Sequence, residues 1–384
     1  MIQASQATAV ADIAVVGSAL GAYPGAEVVG VVRSLPAAAE ADSAPATSLQ
    51  PGQVVVVPRL LPCGDCDRCR RGRVAVCAQR LARPGRPQSI ERLPVRFLLP
   101  LAPPFRSEPP PAEDLFRYAA LSDALLAPYS ALVRAGIGPG ALCVIVGRGS
   151  RAALSVVVAR ALGAAAVVAS PGLAQPDRQR LQAPPFDALS VLWDEAQDPA
   201  ASRAQLRQIA IDAGLAPHGF CILETSGSDA GRIHALSLLS DGGTALLLDR
   251  AQPLAHANRT DQATLAEPSS SIATPIATPG LAMDVPVGPL LGGAALLDRA
   301  VAEGCTVLGG GSVHPDLLVE LLALCDRARI DLRQLTRRIE PHEVDSVMAA
   351  RRAGQGDLLT LPIVDYGQAA SQAVTDPSTP TGPA

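Results

Sequence analysis

Four cysteines, Cys63, Cys66, Cys69 and Cys77, follow one another as C-x2-C-x2-C-x7-C. Thiolates are soft, charged donors, and gaps this short let all of them reach one ion, with Gly64 and Gly72 allowing the turns that convergence needs. Four such ligands close a tetrahedron around Zn2+ and leave no open position for water or substrate, so the metal expected is a structural zinc that staples a loop. An iron–sulfur cluster and four free thiols are the competing readings. Cys143, Cys221, Cys305 and Cys325 stand singly in apolar runs and read as small core residues.

A second constellation is Gly147-Arg148-Gly149-Ser150-Arg151-Ala152, a G-x-G-x-x-A turn between the apolar run 142–146 and the helical pattern 152–162. In that context the helix aims its first amides at a pyrophosphate, which makes Gly147, Gly149 and Ala152 candidate contacts for NAD or NADP. An acid at the end of the next strand would hold the ribose hydroxyls, but the run 164–169 ends in Ser170, Pro171 and Gly172. Three readings stay open. Ser170 tolerates a 2′-phosphate, with Arg148, Arg151 or Arg178 supplying charge; nucleotide binding has been lost; or the segment is a plain strand–turn–helix.

These residues need elements to position them, and the 384-residue chain is long enough for two domains. It is 48% hydrophobic but only 3% aromatic, so its interior must be built from Ala, Val and Leu. Short Val-rich runs at 13–33 and 53–58 read as strands of a β-rich region. The Pro- and Arg-rich stretch 83–111 reads as irregular, and 111–134 as helical. From 141 onward apolar runs at 141–146, 164–169, 220–224 and 244–248 alternate with helical patterns, the signature of a parallel, doubly wound sheet. The stretch 251–289 lacks periodicity and is expected to be a long, flexible loop. Helices are expected at 293–303 and 315–328, and a disordered tail at 368–384.

Composition excludes several functions. All 32 basic residues are arginine, against 36 acidic ones for a net charge of −4. There is thus no Schiff-base lysine, and neither the basic excess nor the aromatic platforms that nucleic-acid binding uses. No run is long and apolar enough for a spanning helix, and the first residues lack the pattern of a signal peptide. A cytoplasmic protein with no nucleic-acid or membrane partner is expected, in which clustered cysteines bind metal rather than form disulfides.

The run Val54-Val55-Val56-Val57-Pro58-Arg59-Leu60-Leu61-Pro62-Cys63-Gly64-Asp65-Cys66, continuing to Cys77, resembles the structural-zinc lobe of the zinc-dependent medium-chain alcohol dehydrogenases, and 140–163 resembles their nucleotide fold. Leu121-Ser122-Asp123-Ala124 with Pro128-Tyr129, the segment 134–140 and Glu224-Thr225-Ser226-Gly227 are similar to the 6-hydroxycyclohex-1-ene-1-carbonyl-CoA dehydrogenase branch. The resemblance spans most of 13–367. It implies an α/β fold: a GroES-like β-rich catalytic domain, shortened at its start, over 1–128 with the zinc lobe at 58–80; a Rossmann domain over 129–330 carrying the insert 251–289; and a return to the first domain over 331–367.

It also implies NAD- or NADP-linked hydride transfer on an alcohol or hydroxyacyl-CoA by a homodimer or homotetramer, with a second, catalytic zinc held by a cysteine, a histidine and a third ligand. Here Val16 stands at the thiolate position and Ala26 at the imidazole position, leaving Glu27 and Asp123 as remnants of the catalytic set. Two carboxylates do not make the three-donor open site that Lewis-acid chemistry needs. Glu27 also reads as a carboxylate bonded to a neighbouring loop and Asp123 as a helix cap. His218, His234, His256, His314 and His342 read as surface or satisfied residues. The expected protein is therefore a zinc-binding, alcohol dehydrogenase-like oxidoreductase impaired in catalysis. The alternatives are a pseudoenzyme acting as scaffold or partner subunit, and a metal-free NADPH reductase.

Overall fold

The computed structural model describes residues 10–21, 27–35, 49–58, 60–63, 66–71, 77, 79, 81–82, 90–101, 112–170, 172–192, 198–248, 287–309 and 316–367. Two sheets organise the chain. The first has strands β1 (Val10–Ala19), β2 (Glu27–Ser34) and β3 (Val54–Val57), a short pair β4 (Leu60–Leu61) and β5 (Leu81–Ala82) beside it, and then β6 (Ile90–Pro94) and β7 (Leu99–Pro100). The helix α1 (Asp67–Arg70) carries the middle of the cysteine cluster. A 3-10 helix, Ala112–Leu121, then runs into α2 (Leu126–Arg134).

The second half alternates β8 (Leu142–Val146), α3 (Ser150–Ala161), β9 (Ala165–Ala169), α4 (Gln175–Leu181), β10 (Ser190–Leu192), α5 (Pro199–Asp212), β11 (Cys221–Glu224), α6 (Asp229–Leu238), β12 (Thr244–Leu247), α7 (Val287–Ala302) and β13 (Thr306–Gly309). After α8 (Asp316–Arg327) and α9 (Leu332–Leu335) come β14 (Thr336–Ile339), α10 (Val344–Arg352) and β15 (Leu361–Asp365).

The six strands β8 to β13 pair in the order β10-β9-β8-β11-β12-β13, all parallel. This is the doubly wound arrangement in which the order reverses between β8 and β11 and opens a crevice at the carboxyl ends of the strands. Every residue of β8, Leu-Cys-Val-Ile-Val, is buried, which suits a strand covered by helices on both faces. The other sheet runs β14-β15-β1-β2-β3-β7, with β6 on the other part of β1. Thus β15 closes against β1, with Gly17 opposite Asp365 and Ala19 opposite Ile363, and β14 pairs on its outer side. The 3-10 helix lies hard against this sheet: a side chain at Gly17 would meet the Phe116 backbone at 2.6 Å. One apolar core runs from Val16, Val29 and Phe116 through α3 to Ile145 and Leu223, joining the two sheets.

The stretch 83–111 is not irregular throughout, because its residues 90–100 form β6, a 3-10 turn and β7. Edge pairing supplies there what local propensity lacks, with Leu93 opposite Ala11 and Leu99 opposite Val56. The insert predicted over 251–289 is likewise cut short at its end, since α7 begins at Val287 and carries Pro289 in its first turn, the helical position where a missing N–H costs least. The rest of that insert, the tail 368–384, and Ala26, His256 and His314 lie outside the described residues.

Candidate functional site

The four sulfurs of Cys63, Cys66, Cys69 and Cys77 all lie within 4.8 Å of one another. The Cys66–Cys69 and Cys63–Cys77 separations are 3.5 Å, and the Cys63–Cys69 and Cys66–Cys77 separations 3.9 Å. A tetrahedron of Zn–S bonds of roughly 2.3 Å has edges of about 3.8 Å, so the donor set has the size of a zinc site and is far too open for disulfides. The backbone N–H of Cys66 donates to Cys63 Sγ and that of Cys63 to Cys77 Sγ, both at 3.4 Å, which stabilises thiolate charge. Cys69 and Cys77 are buried. Among the described residues no other group of three or more His, Cys, Asp or Glu ligands comes close enough to share an ion. His218, His234 and His342 are thus not brought to a metal site.

The glycine turn 147–152 sits where β8 passes into α3, at the order reversal of the parallel sheet. Gly147 (φ 138°) and Gly149 (φ 82°) take positive φ values that favour glycine, and Gly149 is the N-terminal cap residue of α3. A Cβ at Gly147 would stand 2.3 Å from Thr225 Oγ1, whose hydroxyl donates to the Val146 carbonyl. Ala152 is buried in the first turn of α3. Ser170 closes β9 and is only 1% exposed, its N–H donating to Leu192 O. Arg148 is exposed on the turn. Arg151, one of the arginines expected near a 2′-phosphate, points elsewhere.

Its guanidinium Nη2 donates to Asp123 Oδ2 at 2.8 Å, with side-chain exposures of 12% and 9%. Asp123 is therefore an ion-pair partner and not a helix cap, since α2 begins only at Leu126 and no side chain caps it. Glu27, 1% exposed at the start of β2, accepts the N–H of Ala124 at 3.1 Å, next to Asp123. Glu27 and Asp123 thus meet on one short segment, and each is engaged by the protein itself. Val16, which the resemblance sets at the thiolate position, is buried in the apolar core.

Two groups absent from the sequence reading complete the neighbourhood. Arg351 of α10 donates from Nη2 to Ser150 Oγ at 3.0 Å, across a separation of 201 residues, and from Nη1 to the carbonyls of Asp357 and Thr360. Burial pulls its pKa below the ordinary arginine value, against the pull of Asp357. Asp357 is desolvated, which raises its pKa, yet hydrogen bonds from Arg180 and Thr360 prevail and bring it down to about 2. Its carboxylate spans Arg180 Nη1 at 2.9 Å and Thr360 Oγ1 at 2.6 Å. This holds the loop before β15 over the turn, with the Leu358 carbonyl 3.6 Å from where a Cβ of Gly149 would be. No local motif marks either residue; only packing of α10 and β15 brings them here.

The sequence profile of the alcohol dehydrogenase GroES-like domain matches residues 5–103. No curated protein sequence matches the chain. Among solved structures it is similar to galactitol-1-phosphate dehydrogenase from Escherichia coli, at 15% identity over 95% of each chain with a TM-score of 0.66. It is also similar to an alcohol dehydrogenase from Thermus sp. ATN1, at 18% identity over 94% of this chain and 93% of that one with a TM-score of 0.65. A third is benzyl alcohol dehydrogenase from Acinetobacter calcoaceticus, at 17% identity over 95% and 94% with a TM-score of 0.64. The fold, a GroES-like domain joined to a Rossmann-like parallel sheet, is that of these dehydrogenases.

Proposed function

We propose that this protein is a zinc-binding, alcohol dehydrogenase-like oxidoreductase whose metal-dependent hydride transfer is impaired. The observation that carries this reading is the state of the two remnant carboxylates. Asp123 is ion-paired with Arg151 and Glu27 accepts a backbone N–H, while an apolar Val16 stands where a thiolate would be. An open catalytic zinc needs three anchored donors around a vacant position, and the described residues bring none together outside the cysteine cluster. Cys63, Cys66, Cys69 and Cys77 would hold a zinc whose contribution is to cross-link the loop. NAD or NADP would supply the hydride acceptor or donor in such chemistry, and the turn 147–152 is the place in this chain where a dinucleotide would lie.

Zinc per chain, measured by elemental analysis on protein purified without added metal, tests the reading together with an assay on secondary alcohols and hydroxyacyl-CoA with NAD and NADP. One zinc and no turnover are expected. Two zincs, or turnover at ordinary enzyme rates of about 10 s⁻¹, would overturn it.

A further inference from the structure

We propose that the crevice at the carboxyl ends of β8, β9 and β11 is held closed against dinucleotides by the protein's own side chains, with the Asp123–Arg151 ion pair as the bolt. The proposal rests on the reading above only in taking this crevice as the place a dinucleotide would enter. A dinucleotide at such a reversal of strand order lays its pyrophosphate on the first turn of the helix after the glycines and its two halves along the strand ends. Here successive residues of that turn already meet protein. Thr225 Oγ1 stands 2.3 Å from where a Cβ of Gly147 would be, and the Leu358 carbonyl 3.6 Å from where a Cβ of Gly149 would be. Ser150 Oγ accepts from Arg351, and Arg151 reaches across to Asp123.

The contacts reinforce one another. The loop that brings Leu358 over the turn is pinned on one side by Arg351, through the carbonyls of Asp357 and Thr360, and on the other by Arg180, through the Asp357 carboxylate. The carbonyl it presents is an acceptor, which repels a phosphate. At the other end, Arg151 and Asp123 are nearly buried. Separating a buried pair strands two charges in a poorly solvated place, so entry between them costs far more than parting a surface pair. The bolt joins α3 of the parallel sheet to the segment that also takes the Glu27 bond, and therefore ties the two sheets across the crevice.

Titration of the full-length protein with NADH and NADPH, followed by nucleotide fluorescence, tests this. The wild type should show no saturation below about 1 mM, a free energy of roughly −4 kcal/mol. Asp123→Asn and Arg151→Gln, each confirmed folded by circular dichroism and a thermal melt, should bind at least tenfold tighter. Arg207→Ala, which removes the exposed Arg207–Asp241 pair ahead of the amino end of β12, should behave as wild type. Low-micromolar binding by the wild type would overturn the proposal, as would folded bolt variants that bind no better than it. Tight binding without turnover sinks the bolt alone, a second zinc without nucleotide binding sinks the proposed function alone, and ordinary turnover, which needs a bound dinucleotide, sinks both.

Discussion

At the scale of single residues the chemistry lies in sulfur and carboxylate. Cys69 is 6% exposed on α1 and stands 3.5 Å and 3.9 Å from two of its fellow sulfurs. A serine there offers a harder, weaker donor to a site that soft ligands define. Cys69→Ser is expected to lose zinc to a colorimetric chelator at least tenfold faster than the parent and to melt several degrees lower, because metal binding at a structural site is folding free energy. Asp357 supplies a pH signature. Its folded pKa of about 2 lies below the ordinary range of a carboxyl group, so the ionised form is the one the fold favours. Its contribution is complete above the unfolded pKa and is lost as the pH falls from there through the folded value. With 28% of the side chain exposed, solvent screening leaves on the order of 1 kcal/mol. Asp357→Asn should lower stability to urea at pH 7 by about that amount, and the gap from wild type should shrink as the pH drops from 5 toward 2.

At the scale of elements, the turn between β8 and α3 shows how tightly sequence and packing are coupled. Gly147 combines a φ of 138° with a Cβ position 2.3 Å from Thr225 Oγ1, so a side chain there is refused twice, by backbone conformation and by space. Gly147→Ala should cost about 2–3 kcal/mol in chemical denaturation. Adding Thr225→Ala should recover part of the loss and not all of it, since the second change frees space but leaves φ unaltered; full recovery would show that the clash alone matters. The neighbouring strands carry a thiol pair, Cys143 opposite Cys221 in the parallel register. Their mutual hydrogen bond and burial push the Cys143 thiol well above its ordinary pKa, which keeps it an inert core group.

At the scale of the whole molecule, the first sheet depends on the end of the chain. Ile363 of β15 is fully buried and lies opposite Ala19 of β1, and it belongs to the core that joins both sheets. Ile363→Ala should cost about 2–5 kcal/mol. Because one core serves both halves, the melt should stay a single transition when followed by the lone tryptophan, Trp193, and by far-ultraviolet circular dichroism. Two separated transitions would show that the sheets unfold independently.

Much of this was legible in the residues alone. Spacing fixed the cysteine cluster because its ligands lie within fifteen positions, so local geometry suffices to converge them. Alternation of buried runs and helical patterns gave the parallel sheet, since a strand covered on both faces must be apolar throughout, as β8 is. The strands within 90–100 were hidden because their stability comes from partners about eighty and forty residues away, Ala11 and Val56, rather than from their own composition. The fate of the carboxylates was hidden for the same reason. The sequence by itself determined which donors are present: four thiolates, Glu27, Asp123 and a glycine turn. Only the tertiary structure decided that Arg151 takes Asp123 and that Arg351 takes Ser150, because a guanidinium on a long stem finds its partner through three-dimensional packing and no short spacing encodes it.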